Sequence, residues 1–364
     1  LKSSNANYIP TLDGWRAIAI LCVLFDHTVF RTFHPYGWTL VGGHGVEIFF
    51  VLSGYLITGK LLEDGSLRKF YTRRAFRILP VLFVYLAAAG FLGFLLHRIP
   101  LQRSEIASSL LFVRNFFLYP SATWNGVGWF TAHLWSLSIE EQFYLLWPLV
   151  LLKLGRRTPQ RQGLAALSLF AFWTMIFILV HLGRWLHLGG WHWMPHLNYT
   201  GLVVGCMLRI AFSHTPTATI IGRFFLRRST AVVLFALAYF VVFHNRVTWL
   251  DPFICAAALC STLVEPGGLM GRVLELATLR WIGRLSYSLY VWQQIFLGFG
   301  VVFRPFGILS IFPVNLCVLF AVACLSYYGM EKPLMRLGHK LTRERTTLPT
   351  PGDHKVFAEE GLVA

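Results

Sequence analysis

Long apolar stretches alternate along this chain with short polar connections, most of them basic. Ten such stretches lie near 13–32, 42–62, 75–97, 133–154, 163–184, 197–213, 231–244, 249–264, 284–302 and 308–328. Most approach the ~20 residues that a helix needs to cross a hydrocarbon layer about 30 Å thick. The stretch 106–118 is too short to cross and, with Arg114 and Asn115, too polar, so it reads as re-entrant or interfacial. The expected fold class is all-α: a polytopic membrane helix bundle of about ten transmembrane helices. Residues 1–342 are expected to form one transmembrane domain and 343–364 a polar, poorly ordered cytoplasmic tail.

Composition agrees with the pattern. Of 364 residues, 56% are hydrophobic and only 13% charged, where a soluble domain carries about 25%. The net charge of +16 would suggest nucleic acid in a soluble protein, but its placement explains it otherwise. Assigning alternate loops to opposite sides puts 24 of the 32 Lys and Arg residues on one side and 7 on the other, with Arg16 at a boundary. The positive-inside rule then places both termini in the cytoplasm, as an even number of spans requires, and no nucleic-acid partner is expected. The expected location is a cytoplasmic (inner) membrane, multi-pass. All six cysteines (Cys22, Cys206, Cys255, Cys260, Cys317, Cys324) fall in apolar stretches without a CxxC, and read as packing residues. The first span is too long for a cleavable signal and has no small-residue cleavage site; no appended soluble domain is expected either.

Chemistry enters where charge interrupts the apolar pattern. Arg16 and His27 are eleven residues apart in the first span, three helical turns, so they share one face about 16 Å apart. Inside a membrane such groups cost several kcal/mol unless paired or wetted, which makes function the default reading. A satisfied core histidine accounts for His27 taken alone. The second span carries Gly42, Gly45, Ser53 and Gly54, small residues that admit a neighbouring backbone; Ser53 lacks a nucleophile-elbow context, and Glu47 lies toward the outer end. Arg73, Arg74 and Arg77 stand at a cytosolic helix start with spacing that lets guanidinium groups converge on one anion, either a phosphate-bearing ligand or anionic lipid. In the fourth span Glu140 and Tyr144 share a face while Glu141 points about 100° away; the pair is either held by a basic partner such as Arg16 or His27, or simply hydrated at the interface. His181, His187, His192 and His196 crowd the outer side, but Pro195 interrupts them and no acid or thiol is near, so no metal site is expected. Trp191 and Trp193 suit an interface belt or a cavity rim.

Six motifs in order give the chain a resemblance: Leu12-Asp13-Gly14-Trp15-Arg16 with His27; Gly45-Val46 to Ser53-Gly54-Tyr55; Arg73-Arg74-x-x-Arg77-Ile-x-Pro80; Ser138-x-Glu140-x-x-Phe143-Tyr144; Gly283-Arg284-x-Ser286-Tyr287-Ser288-x-Tyr290; and Glu331-x-Pro333. From about Leu12 to Arg336 the sequence resembles the acyltransferase family 3 membrane proteins, which move acyl groups onto hydroxyls of sugars and related molecules. The resemblance implies about ten helices, cytosolic acyl-CoA as co-substrate with no bound cofactor, and a carbohydrate or glycosylated acceptor reached from outside. It also makes the arginine–histidine pair, Arg16 and His27, the functional core. Two positions depart from the family pattern: Gln293, where His is frequent after Tyr-x-Trp, and Asn198, where Arg is frequent ahead of Gly205. Both bear on the acceptor more than on the reaction.

The expected reaction is transfer of an acetyl or other short acyl group. A hydroxyl needs a base and the thioester oxyanion needs stabilisation. His27 is the base candidate, Glu140 its orienting or proton-accepting partner, and Tyr144 or a backbone amide the oxyanion donor. Arg16 and Arg73, Arg74 and Arg77 are candidates to hold the donor's phosphates, with Asp13, Ser138, Ser53 and Glu331 in support. The rival reading is a transporter or flippase for an anionic or glycosylated solute, which would predict inverted repeats that the sequence does not display.

Overall fold

Proline marks where several helices begin, because its missing N–H costs nothing in a first turn. The computed structural model describes residues 8–33, 41–96, 101–117, 128–154, 158–185, 199–243, 249–297 and 306–342. Helix α1 (Pro10–Phe33) starts on a proline, as does α6 (Pro159–Trp185). Prolines also stand in the first turns of α8 (Thr215–Phe225), α10 (Asp251–Val264) and α14 (Lys332–Leu341). The remaining helices are α2 (Val41–Asp64), α3 (Leu67–Leu96), α4 (Arg103–Leu110), α5 (Leu134–Leu154), α7 (Thr200–Ser213), α9 (Ser229–Val242), α11 (Leu269–Leu274), α12 (Ala277–Phe296) and α13 (Val314–Ser326). Among the described residues the fold is all-α, and each of the ten apolar stretches coincides with a helix.

Among the described residues, three helices are long and apolar enough to cross a membrane: Val41–Asp64, Leu67–Leu95 and the continuous Val314–Leu341. A fourth crossing exists if α8 and α9, bent by 78° at their junction, count as one. Helices α1, α5 and α12 have the length, but Asp13, Arg16, Asp26, Glu140, Glu141, Arg280 and Arg284 dilute their hydropathy. Helices α7 and α10 have 14 residues each, about 21 Å and short of a full bilayer core. Large apolar side chains stand exposed along α3 (Phe83, Phe91, Phe94), α5 (Leu145, Leu146, Leu149) and α9 (Leu234, Phe235, Val241, Val242), the surface that lipid would cover. The stretch 106–118 does not cross: α4 ends at Leu110, Phe112 takes a left-handed φ of 54°, and a 3-10 turn follows at Arg114–Phe116.

The bundle centres on α1 and α2, which pack on each other, with α12 against α1 and α7 against α2. Glycine makes the α2–α7 contact possible. A Cβ on Gly54 would collide with the Leu202 carbonyl, and one on Gly205 with the Val51 carbonyl, so each helix lends the other its bare backbone. Gly42 and Gly45 do the same against Asp26 and Ala19 of α1, as their sequence spacing led one to expect. Two buried indoles tie helices together: Trp15 Nε1 donates to Thr262 Oγ1 and Trp147 Nε1 to Thr58 Oγ1, both at 2.9 Å.

Candidate functional site

A cavity of about 130 Å³ opens among α1, α2, α3, α5 and α12. Four cations line it, Arg16, Lys60, Arg74 and Arg77, against one carboxylate, Glu140; Ser53, Tyr144 and Tyr290 also face it. Helical spacing delivers these groups. On α2, Ser53, Leu56, Ile57 and Lys60 stand at i, i+3, i+4 and i+7, and on α5 Glu140 and Tyr144 at i, i+4.

Glu140 is the hub of its polar wall. Its Oε1 accepts from Ser53 Oγ and from Tyr144 Oη, both at 2.5 Å, and lies 3.4 Å from Arg74 Nη2. Glu141, one residue on, takes Arg74 more tightly: Nε and Nη2 reach its Oε1 at 2.8 and 2.5 Å. The same guanidinium lies 3.4 Å from the centre of the Tyr144 ring. Adjacent carboxylates pointing about 100° apart thus grip one arginine from two sides, and neither is merely hydrated. Arg74, so matched, has less charge to offer a ligand than Lys60, which has no carboxylate partner among the described residues.

The three arginines of α3 do not converge. Arg73 Nε donates to Thr342 Oγ1 at 2.8 Å, beyond α14 and away from the cavity. Arg77 faces the cavity, with its Nε 3.9 Å from Glu331 Oε1. Glu331 is buried and takes Ser288 Oγ at 2.9 Å. It closes a π-helical turn, Tyr327–Glu331, between α13 and α14, an irregularity frequent at functional sites. Arg16 pairs with Asp13 at 3.1 Å, and Asp13 also accepts from Tyr8 Oη at 2.7 Å. Gly283 of α12 packs directly on the Asp13 backbone, joining the first and fifth sequence motifs in space.

His27 is elsewhere. Its ring Nδ1 meets Gln293 Oε1 at 3.2 Å, and it is absent from the cavity lining. Glu140 is therefore not its orienting partner; the expected Glu140–His27 contact is replaced by Ser53, Tyr144 and Arg74 on one side and Gln293 on the other. An aromatic cluster links the two regions. Tyr290 Oη, at the cavity wall, contacts Ser136 Oγ at 2.9 Å and donates to the His133 carbonyl. The His133 ring lies tilted against Tyr290 and edge-on to Tyr85, and Tyr85 meets Trp292 edge-on.

Ser138 plays a scaffolding part. Its Oγ accepts from the Arg114 amide at 3.2 Å and donates to the Leu134 carbonyl at 3.0 Å. Arg114, fully buried, donates from Nε to Thr131 Oγ1 at 3.0 Å, and Thr131 reaches Glu105. Burial holds the Glu105 carboxyl above its usual range, against the opposing pull of Arg114. Gln142 Nε2 donates to the Phe112 carbonyl at 2.6 Å and to Asn115 Oδ1 at 2.9 Å. The stretch 106–117 in this way braces the face of α5 that carries Ser138 and Gln142, about 200° round the helix from Glu140. A second cavity, about 310 Å³ and mostly apolar, lies beside it between α3 and α5, touching Arg74, Glu141 and Tyr144.

Sequence reasoning missed Lys60, Tyr290 and Gln293 as site groups. Lys60 stands two helical turns after Ser53, and Gln293 two turns after Ser286; helical phase was the available signal. The side chain of His181, and His187, Trp191, His192, Trp193, His196 and Asn198, lie outside the described residues, as does the tail 343–364.

The family model described as an acyltransferase domain matches residues 9–330. Similar proteins include a peptidoglycan O-acetyltransferase, OatA, of Listeria monocytogenes, 28% identical across 92% of this chain and 57% of its own length. A putative peptidoglycan O-acetyltransferase, YrhL, of Bacillus subtilis is 31% identical across 93% of this chain and 57% of its own length. A putative O-acetyltransferase of Staphylococcus aureus is 27% identical across 93% and 59%. The chain thus spans a little over half the length of these relatives. No solved structure matches.

Proposed function

The chain belongs to the acyltransferase 3 family, and from that premise we propose that it moves an acyl group, acetyl or another short chain, from cytosolic acyl-CoA to a hydroxyl of a carbohydrate or glycosylated acceptor. The observation that carries this reading is the cavity with Arg16, Lys60, Arg74 and Arg77 gathered around Ser53, Glu140 and Tyr144. Such convergence of cations in an apolar bundle suits a polyanion, and the phosphates of coenzyme A are one. Lys60, Arg16 and Arg77 hold the phosphates, while Arg74 stays with its two glutamates and keeps Tyr144 in place. From Arg16 to His27 the helix rises about 16 Å, an interval that the extended pantetheine arm of an acyl-CoA bridges, bringing the thioester toward His27.

There His27 takes the hydroxyl proton as the oxygen attacks the thioester carbon. The C–O bond forms, the C–S bond breaks, and the thiolate leaves to be protonated. The relatives' printed names favour an acetyl donor and a cell-wall glycan acceptor. About ten spans, cytoplasmic termini and a place in the bacterial cytoplasmic membrane complete the proposal, supported by the ten helices and by the basic loops on one side.

The test is turnover of labelled acyl-CoA by purified protein in detergent, with and without glycan acceptors. Acceptor-dependent release of CoA thiol that is lost in His27→Ala supports the reading. Movement of a solute across proteoliposomes without acyl transfer would overturn it in favour of a transporter.

A further inference from the structure

Gln293 bears on the base through one bond. A glutamine Oε1 only accepts, so the 3.2 Å contact requires that His27 Nδ1 carry the proton. The lone pair then belongs to Nε2. Gln293 is fully buried, and its amide nitrogen has no hydrogen-bond partner among the described residues. A buried, unmatched N–H group is costly, so packing alone gives little reason for a glutamine here. The titratable groups on the surrounding elements are Asp26 on α1, His44 and Glu47 on α2, Tyr290 on α12, and His133 ahead of α5. His44 is committed to Asp251, 2.6 Å away. His133 donates from Nε2 to the Val291 carbonyl at 3.1 Å.

Resting on the reading of His27 as the base, we infer that Gln293 is its positioning residue: the side-chain carbonyl fixes the Nδ1–H tautomer and aims Nε2 at the acceptor hydroxyl without adding charge. Neutrality is the point of the arrangement. In an apolar interior a carboxylate in the same place would hold His27 as an imidazolium and so remove the base it was meant to orient. An amide sets direction and tautomer and, being neutral, does not itself favour the charged ring.

Gln293→Met and Gln293→Glu separate this role from packing. Methionine matches the length of glutamine and fills the site but accepts no useful hydrogen bond; kcat should fall about tenfold or more with the KM for acyl-CoA unchanged. Glutamate restores an acceptor with charge. The acidic limb of its kcat–pH profile should move up by about one unit or more, because a nearby carboxylate favours the protonated ring. The position of that limb is independent of how much enzyme folds, so a poorly stable variant still reports. A wild-type kcat in Gln293→Met, or an unmoved limb in Gln293→Glu, overturns the inference. If either occurs while His27→Ala is inactive, only the inference fails; if His27→Ala keeps its kcat, the base assignment fails with it.

Discussion

At the scale of single residues, His27→Ala should lower kcat by about 10² to 10⁴ while the protein still elutes as one species in detergent, since general-base loss has that range. Glu140→Gln should also damage the enzyme, but independently of His27, because Glu140 holds Ser53 and Tyr144 rather than the imidazole. The double variant should therefore be worse than either single one, read as kcat in the same turnover assay. For the donor, Arg77→Ala and Lys60→Ala should raise the KM for acyl-CoA several-fold, and salt should weaken wild-type donor binding. Arg73→Ala should change KM less, since its side chain is spent on Thr342. Equal effects at Arg73 and Arg77 would argue for a general field over a site. The residues that line the cavity with charge, Arg16, Arg74, Arg77 and Glu140, stood out in the sequence, because charge in an apolar stretch has few excuses. Their partners did not: helical phase put Glu140 and Tyr144 together, but nothing local says that Arg74 faces two glutamates 66 and 67 positions away, or that His27 meets Gln293.

Among elements, the positions of the ten helices could be read from hydropathy, and the small-residue seams from glycine spacing. The α2–α7 seam gives a sharp test. Gly54→Ala and Gly205→Ala would each drive a methyl group into the facing backbone, and each should lower the thermal unfolding midpoint in detergent, with an overpacking cost of about 1–3 kcal/mol. Gly329→Ala, where a Cβ meets nothing within 4 Å, should leave the midpoint where it is or raise it. The stretch 106–118 stood out in the sequence by its length and polarity. Its purpose as a brace was hidden, since it depends on the buried Arg114 reaching back to Thr131 and on its amide meeting Ser138.

For the molecule as a whole, the unequal spread of Lys and Arg sets a topology that labelling can check. Single cysteines at Arg68 and Thr350 should react with impermeant reagent only from the cytosolic side, and cysteines at Trp191 or Arg246 only from outside. Labelling of Thr350 from outside would break the even-span arrangement. On that topology the proposed chemistry runs along the bundle axis, with cations at the end of α1 expected on the cytosolic side and the imidazole three turns away. The sequence marks both positions, Arg16 and His27, as ionisable groups in an apolar stretch. It did not disclose the aromatic cluster of Tyr85, His133, Tyr290 and Trp292 that joins them, because aromatic residues are common throughout such a chain.

The last helix holds a spare residue. A turn closed over five residues instead of four takes up one extra position, so α13 can keep its face on α12 while α14 keeps its own on α3, where Gly338 admits Phe76. Loss of one residue inside Tyr327–Glu331 would restore ordinary winding with both docking faces in phase. Loss of one residue within α13 would turn its earlier part by about 100° relative to everything after it. Deletion of Gly329 should thus yield a folded protein with an altered donor site, whereas deletion of Ala321 should not fold. At this turn the chain's length, and not only its spelling, is open to evolution.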